Sequence, residues 1–436
     1  MKQNSLRKFL IFNFLIMTVF NFAHPVTPRL INELQLPSYM FGLFFALMSI
    51  GSYVFSPIWG SLSDYKGRKK FLMFGVLGYG AAQLGFGLSQ TAAVISIFRV
   101  LGGILSVSYV AVTMACISDL SSRENRAKSL AYLAATTAMG AAAGSNIGGW
   151  LGSSDYKITF IVQFICCIVL TIALWIFTSE TLEKKKDGKT IVALNHLKFK
   201  KSNIDFKSLL GTLILTVAFM NITTTSYNST IGYFVESDLK LPTQLNGLVL
   251  SIAPICAILV NFFINPRLAA KYDELKTLIV VIALTAGSLF MWAYSSNIIM
   301  VGIFLVIFFI VLPLAQPIYQ SMISKHAQDN AGEIMGIQNS ARSLGMVIGS
   351  LMSGFLYQMG SKLPFLFGSG TAVIACIILL LQYRRNKKRG CLKMTEYSDF
   401  FKPLSLYEVV VHNDDFEFCY VIFVHYIQNI EATFLL

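Results

Sequence analysis

Apolar residues gather along this chain into twelve runs of about 20 residues. They cover 9–30, 39–60, 71–90, 92–117, 128–150, 158–178, 207–234, 243–265, 277–294, 297–322, 333–357 and 364–383. A helix of about 20 residues crosses the ~30 Å hydrocarbon core of a bilayer. Most runs also carry Gly, Ser, Thr or Asn, which let neighbouring helices approach closely in lipid. The first run follows Lys2, Arg7 and Lys8 as a leader sequence would. It lacks a small-residue cleavage site and a second long run follows at once, so it reads as an uncleaved span. The pattern predicts an all-α integral membrane protein with 12 transmembrane helices.

The polar segments between the runs set orientation. Of 35 Lys and Arg residues, 29 lie in the N-terminus, the even-to-odd connections and the tail, whereas the opposite side holds Arg29, Lys157, Lys240 and Lys362. By the positive-inside rule both termini and the basic connections are expected in the cytoplasm of a multi-pass protein of the cell (plasma) membrane. The longest connection, 179–206, is rich in charge (Lys184, Lys185, Lys186, Asp187, Lys189) and divides the runs six and six. The expected organisation is therefore a first six-helix bundle at 1–178, a linker at 179–206, a second bundle at 207–383 and a peripheral tail at 384–436.

Composition narrows the function classes. Hydrophobic residues make up 55% and charged residues 13%, about half the charge of a soluble domain, so a soluble enzyme is a poor fit. The net charge of +13 would suggest nucleic acid in a soluble protein; here it is explained by the loops, and no nucleic-acid partner is expected. Cys116, Cys166, Cys167, Cys256 and Cys376 lie in apolar runs with no CxxC pair, as small buried hydrophobes do. No P-loop, metal-spaced cluster or nucleophile–base constellation is present, so no enzyme, ATP-driven pump, cofactor or metal site is expected.

The fifth and eleventh runs share a spacing of small residues. Gly140, Gly144, Ser145 and Gly149 recur as Gly345, Gly349, Ser350 and Gly354, each pair 205 residues apart. Such spacing serves close helix packing, and the constant offset points to duplication of a six-span unit, as in parallel-repeat transporters.

Between the second and third runs stands Gly60-Ser-Leu-Ser-Asp64-Tyr-Lys-Gly67-Arg68-Lys69-Lys70. Gly60 and Gly67 suit a tight turn at the membrane face, and Asp64 and Arg68 are helical neighbours at four residues apart. The segment resembles G-x-L-x-D-x-x-G-R-K-K, the signature loop of the major facilitator superfamily, in that family's position. Arg99-Val-Leu-Gly102-Gly103 in the fourth run resembles the family's R-x-x-x-G segment. Gly140, Gly144, Gly148 and Gly149 resemble the motif of its drug–proton antiporters, with Ser145 in the proline's place. The resemblance covers about residues 9–383. It implies two pseudo-symmetric six-helix bundles that expose a central path alternately to each side. It also implies a cytoplasmic lock in which Asp64 works with Arg68, Asp119 and the N-terminus of the eleventh helix.

Polar groups at depth carry function in membranes. No Asp or Glu lies well inside a run; Glu33, Glu236 and Asp238 sit at outer ends. His24, before Pro25, is the titratable candidate for proton coupling, and Pro25 and Pro28 are expected to bend that helix end. Arg99 and Arg342 are the two embedded cations, and an Arg in hydrocarbon must face protein, water or an anion. Asn21, Asn221, Asn228, Gln316 and Gln320 complete the coupling or substrate candidates; Asn13, Gln163, Tyr227 and Asn339 are further polar lining candidates. With 35 Phe and 16 Met, a cavity suited to bulky amphiphiles is expected. The expected function is export of drug-like amphiphiles by a monomer, driven by protons. The alternative is uptake or exchange of a small anionic metabolite through Arg99 or Arg342.

Overall fold

A computed structural model describes residues 2–122, 125–182, 208–295, 298–326 and 331–400. Residues 183–206 of the linker, including Lys184, Lys185, Lys186, Asp187 and Lys189, and the tail beyond 400 lie outside the described residues. Met1–Arg384 forms one compact unit that holds every span, and Arg385–Leu436 groups separately.

The first six spans are built from α1 (Lys2–Phe20) with α2 (Thr27–Glu33), α3 (Met40–Lys66), α4 (Arg68–Leu88), α5 (Ala92–Leu120), α6 (Arg126–Leu151) and α7 (Tyr156–Phe177). The second six are α8 (Leu209–Ser237), α9 (Thr243–Leu259) with α10 (Asn265–Lys271), α11 (Glu274–Tyr294), α12 (Ile298–His326), α13 (Ala331–Met359) and α14 (Leu363–Phe400). The first span is broken rather than bent. Pro25 has no N–H to continue the ladder, so the chain turns through Asn21–Val26, and Pro28 falls in the first turn of α2, where a missing donor costs nothing. A π-helical turn at Val260–Ile264 joins α9 to α10, whose first turn holds Pro266.

Among the described residues nine helices are long and apolar enough to cross a membrane by themselves. The other three spans fall short for legible reasons. The α1–α2 span is divided, while α6 and α13 replace large apolar residues with Gly, Ala, Ser and Thr. Those small residues let backbones touch. A Cβ on Gly144 would stand 2.1 Å from Thr18 O, and one on Gly349 would stand 2.7 Å from Ile222 O. Gly140 meets Phe14 O and Gly345 meets Ala218 O; Gly148 meets Phe22 O. Thus α6 seats on α1 as α13 seats on α8. The same two helices also reach the other half: Gly149 lies against Gly247 of α9, and Gly354 against Gly42 of α3. The 205-residue offset is therefore a spatial register as well as a sequence one.

Three apolar cores follow this division. One draws only on the first half, around Phe20, Tyr79 and Tyr109. A second draws only on the second half, around Leu213, Leu278 and Ile323. The third mixes residues of both, among them Phe41, Phe44, Tyr233 and Phe365. It lies at the end away from the basic loops, so the halves are joined there.

Candidate functional site

The signature loop forms around one buried guanidinium. Helix α3 runs through Asp64 to Lys66, and Gly67 alone makes the turn into α4, with φ 97° that a side chain would strain. Gly60 takes no part in that turn: it lies inside α3, where a Cβ would find open space. Arg68 is 7% exposed. Its Nη1 meets Asp64 Oδ1 at 2.6 Å and donates to Ser63 Oγ at 2.6 Å, while Nε reaches Asp119 Oδ2 of α5 at 3.1 Å. Two carboxylates and a hydroxyl thus compensate the charge and tie the ends of α3, α4 and α5 together.

A fourth element joins this knot through a residue that sequence reasoning missed. Glu180, just past α7, accepts from the backbone N–H of Arg68 at 2.8 Å through Oε1 and from that of Lys69 at 3.2 Å through Oε2. It caps the N-terminus of α4, where unsatisfied donors favour an anion. Partial burial alone would raise its carboxyl. The N–H donations of Arg68, Leu182, Lys69 and Thr181 together outweigh burial and hold its pKa below the usual carboxylate value. The only sequence signal was that Glu180 is the first charged residue after the span, ahead of a connection rich in Lys. All these partners belong to the first half. Residues 327–330, just before α13 where the lock's partner is expected, lie outside the described residues.

Between the halves lies a cavity of about 510 Å³. His24, Arg99 and Arg342 all line it, as do Asn21, Asn221, Asn228 and Gln316. The amides of Asn21 and Asn221 also bond back along their own helices, to Met17 O and Val217 O, each at 2.7 Å. Gln320 is exposed, one turn beyond Pro317 toward the basic-loop end, and is not part of the lining; Asn339 is exposed as well. Asn13 and Gln163 serve helix seams instead: Asn13 donates to Thr136 and Thr137, Gln163 to Val19 O. Phe41, Phe45, Met48, Met220, Tyr227 and Phe309 supply the apolar wall.

Arg99 enters this space from α5. Its guanidinium carbon stands 3.8 Å from the centre of the Phe86 ring, and Nη2 donates to Thr27 Oγ1 at 3.2 Å. Nη1 approaches Met48 Sδ at 3.8 Å, and the buried Nε has no hydrogen-bond partner. Among the described residues neither Arg99 nor Arg342 pairs with a carboxylate, and the lining contains no Asp or Glu.

The end away from the basic loops is sealed between the halves. Asn32 of α2 donates to Ser237 Oγ at 3.1 Å and accepts from Tyr233 OH at 3.1 Å. Asn246 Nδ2 donates to Pro25 O at 3.0 Å. Phe41 packs on Tyr233 and Tyr357 with ring centres 5.1 and 5.3 Å away, and Tyr39 stacks on Phe355. Nearer the middle of the spans, Tyr53 OH of α3 donates to Ser340 Oγ of α13 at 3.1 Å and so joins the halves there.

Comparison with known proteins places this architecture. The chain is 23% identical over 360 residues to multidrug resistance protein 1 of Bacillus subtilis, covering 82% of this chain and 90% of that protein. It is 24% identical over 381 residues to a class H tetracycline resistance protein of Pasteurella multocida, covering 84% and 92%. Its fold superposes with a TM-score of 0.67 and 14% identity on a bacterial homolog of the human lysosomal transporter Spinster, across 88% of this chain and 97% of that one. The sequence profile of the Major Facilitator Superfamily matches residues 9–350 and 213–428. The chain is a multi-pass membrane transporter and belongs to the Major Facilitator Superfamily.

Proposed function

We propose that this transporter exports amphiphilic, drug-like compounds from the cytoplasm by alternating access, coupled to proton entry. The observation that carries this reading is the central cavity of about 510 Å³, walled by aromatic and thioether side chains from both halves and sealed at one end. A wall of Phe, Tyr and Met accepts varied apolar shapes because ring faces and flexible thioethers adapt to the guest. The relatives named as resistance proteins add support.

In this reading residues 1–178 and 207–383 are the two moving bodies, and the basic loops and both termini face the cytoplasm. The cavity then opens toward the cytoplasm in the state described, with the Asn32–Tyr233–Ser237 seal shut on the far side. The Asp64–Arg68–Asp119 knot sets the geometry of the cytoplasmic lock that forms when the seal opens. His24, lining the cavity beside the broken first span, is the group proposed to load and release the proton.

The test is uptake of a fluorescent amphiphile into inverted membrane vesicles with and without an imposed pH gradient. Accumulation that collapses with the gradient supports the reading. Accumulation unaffected by the gradient removes proton coupling, and no accumulation of any amphiphile removes export. Replacing Asp64 by Asn should reduce uptake about tenfold or more while leaving the protein inserted and folded, as a gate defect of about 1.4 kcal/mol would; wild-type uptake by that variant would remove the gate role.

A further inference from the structure

The cavity has an electrostatic character that its apolar wall conceals. It holds two guanidinium groups, one from each half, and no carboxylate in its lining. Arg99 is 7% exposed, and its neighbours are a hydroxyl, a thioether and a ring face, with Nε left without an acceptor. A buried Arg in a protein interior is ordinarily matched by an anion, because desolvating the charge is costly without one. Arg68 in the same half follows that rule with two carboxylates. Arg342 adds a second cation across the same space, so a positively charged guest would meet repulsion from both sides. What completes such a site is a guest that brings the missing negative charge.

We propose that the transported amphiphile carries an anionic group, a carboxylate, sulfonate or phosphate, which binds the free edge of Arg99 while its apolar body lies on the Phe41, Met48 and Met220 side of the cavity. This assignment rests on the reading that the cavity is the substrate path, and it names the substrate's chemical class. Arg99 provides the main contact, since its Nε and Nη groups form a planar donor edge of which Thr27 takes one position. Arg342, from α13, is the second point of attraction. The headgroup of an anionic lipid offers the same chemistry as a free organic anion, and the assay below separates the two.

The experiment uses the full chain in phosphatidylcholine nanodiscs and phosphatidylcholine vesicles, free of anionic lipid. A dansyl-labelled amino acid is compared with its methyl ester, which keeps the ring and removes the charge. The acid should bind about tenfold tighter than the ester, as expected for one charge-assisted bidentate contact. Replacing Arg99 by Gln should erase that preference while ester binding stays within about twofold, which also reports an intact cavity. Arg99→Lys should retain part of the preference, and Arg342→Gln should reduce it by about threefold. Adding phosphatidylglycerol should leave acid binding unchanged if the free anion is the guest; competition by that lipid would assign the site to a headgroup and overturn the free-substrate claim. Equal binding of acid and ester, or equal weakening of both by Arg99→Gln, overturns the anion site. Flux separates this inference from the export reading: transport of the ester alone leaves export standing and removes the anion site. Transport of neither compound, nor of a cationic dye, removes export itself.

Discussion

Arg68 and Arg99 are equally buried, each 7% exposed, in the same half of one protein, yet they live in opposite surroundings. Arg68 is held by Asp64, Asp119 and Ser63. Arg99 has one hydroxyl, one ring face and an idle Nε. Burial alone therefore does not say what a charge is for. A compensated guanidinium fixes the ends of three helices; an uncompensated one, facing a cavity, stores a demand for a partner that comes from outside the chain.

The comparison can be broken by substitutions that treat the two residues alike. The largest effect, on stability and transport together, is expected from Arg68→Gln, which removes the cation that joins Asp64 of α3 to Asp119 of α5. It should lower stability by about 2 kcal/mol, a value reduced from that of a fully buried pair because both acids are partly exposed. It should also abolish most transport, and thermal unfolding with vesicle flux measures both. Next comes Gly144→Val: with a Cβ position 2.1 Å from Thr18 O, α6 cannot stay seated on α1. A loss of about 1–2 kcal/mol is expected, seen as reduced folded yield after detergent extraction. The matched change Gly349→Val should act in the same direction on α13 and α8.

The smallest effect is expected from Glu180→Gln, and it concerns pH. Glu180 has a lowered pKa in the folded protein, so its contribution to stability is complete above the usual carboxylate value of 4.5 and is lost as pH falls through the lowered folded value. The wild type should therefore lose part of its stability as pH falls below 4.5, and the Gln variant should lose less there. Unfolding temperature against pH measures it. An identical pH slope in both proteins would remove the capping role.

Much of this arrangement was legible in the sequence, and the rest was hidden for identifiable reasons. The spans declared themselves by length and apolarity, since a bilayer imposes both. The small-residue spacing of the fifth and eleventh runs marked close-packing helices, because backbone contact admits only the smallest residues, but left open which helices they seat on. The absence of acids from the spans left Arg99 and Arg342 with no obvious partner in the sequence, and whether they face protein, water or an anion stayed open there. Glu180 escaped because a helix cap supplied from 112 residues away leaves no local spacing to read. Gly60 was assigned to a turn because a signature motif does not show where its helix stops, and α3 stops six residues later. Gln316 and Gln320 share a helical spacing, but only Gln316 lies at the depth of the cavity. Periodicity gives the face of a helix and not the level at which a cavity ends.

The separation of a structural cation from a ligand-seeking one is tested most directly by ligand-dependent thermal unfolding of wild type, Arg68→Gln and Arg99→Gln with and without an anionic amphiphile. Anything that binds only the folded state raises its unfolding temperature. The account predicts that Arg68→Gln unfolds at a lower temperature and still gains stability from the ligand. Arg99→Gln should unfold no lower than wild type, because an uncompensated buried charge has been removed, and should gain little from the ligand. If Arg99→Gln destabilises the free protein as much as Arg68→Gln and still responds fully to the ligand, the two arginines play the same structural part and the account is contradicted.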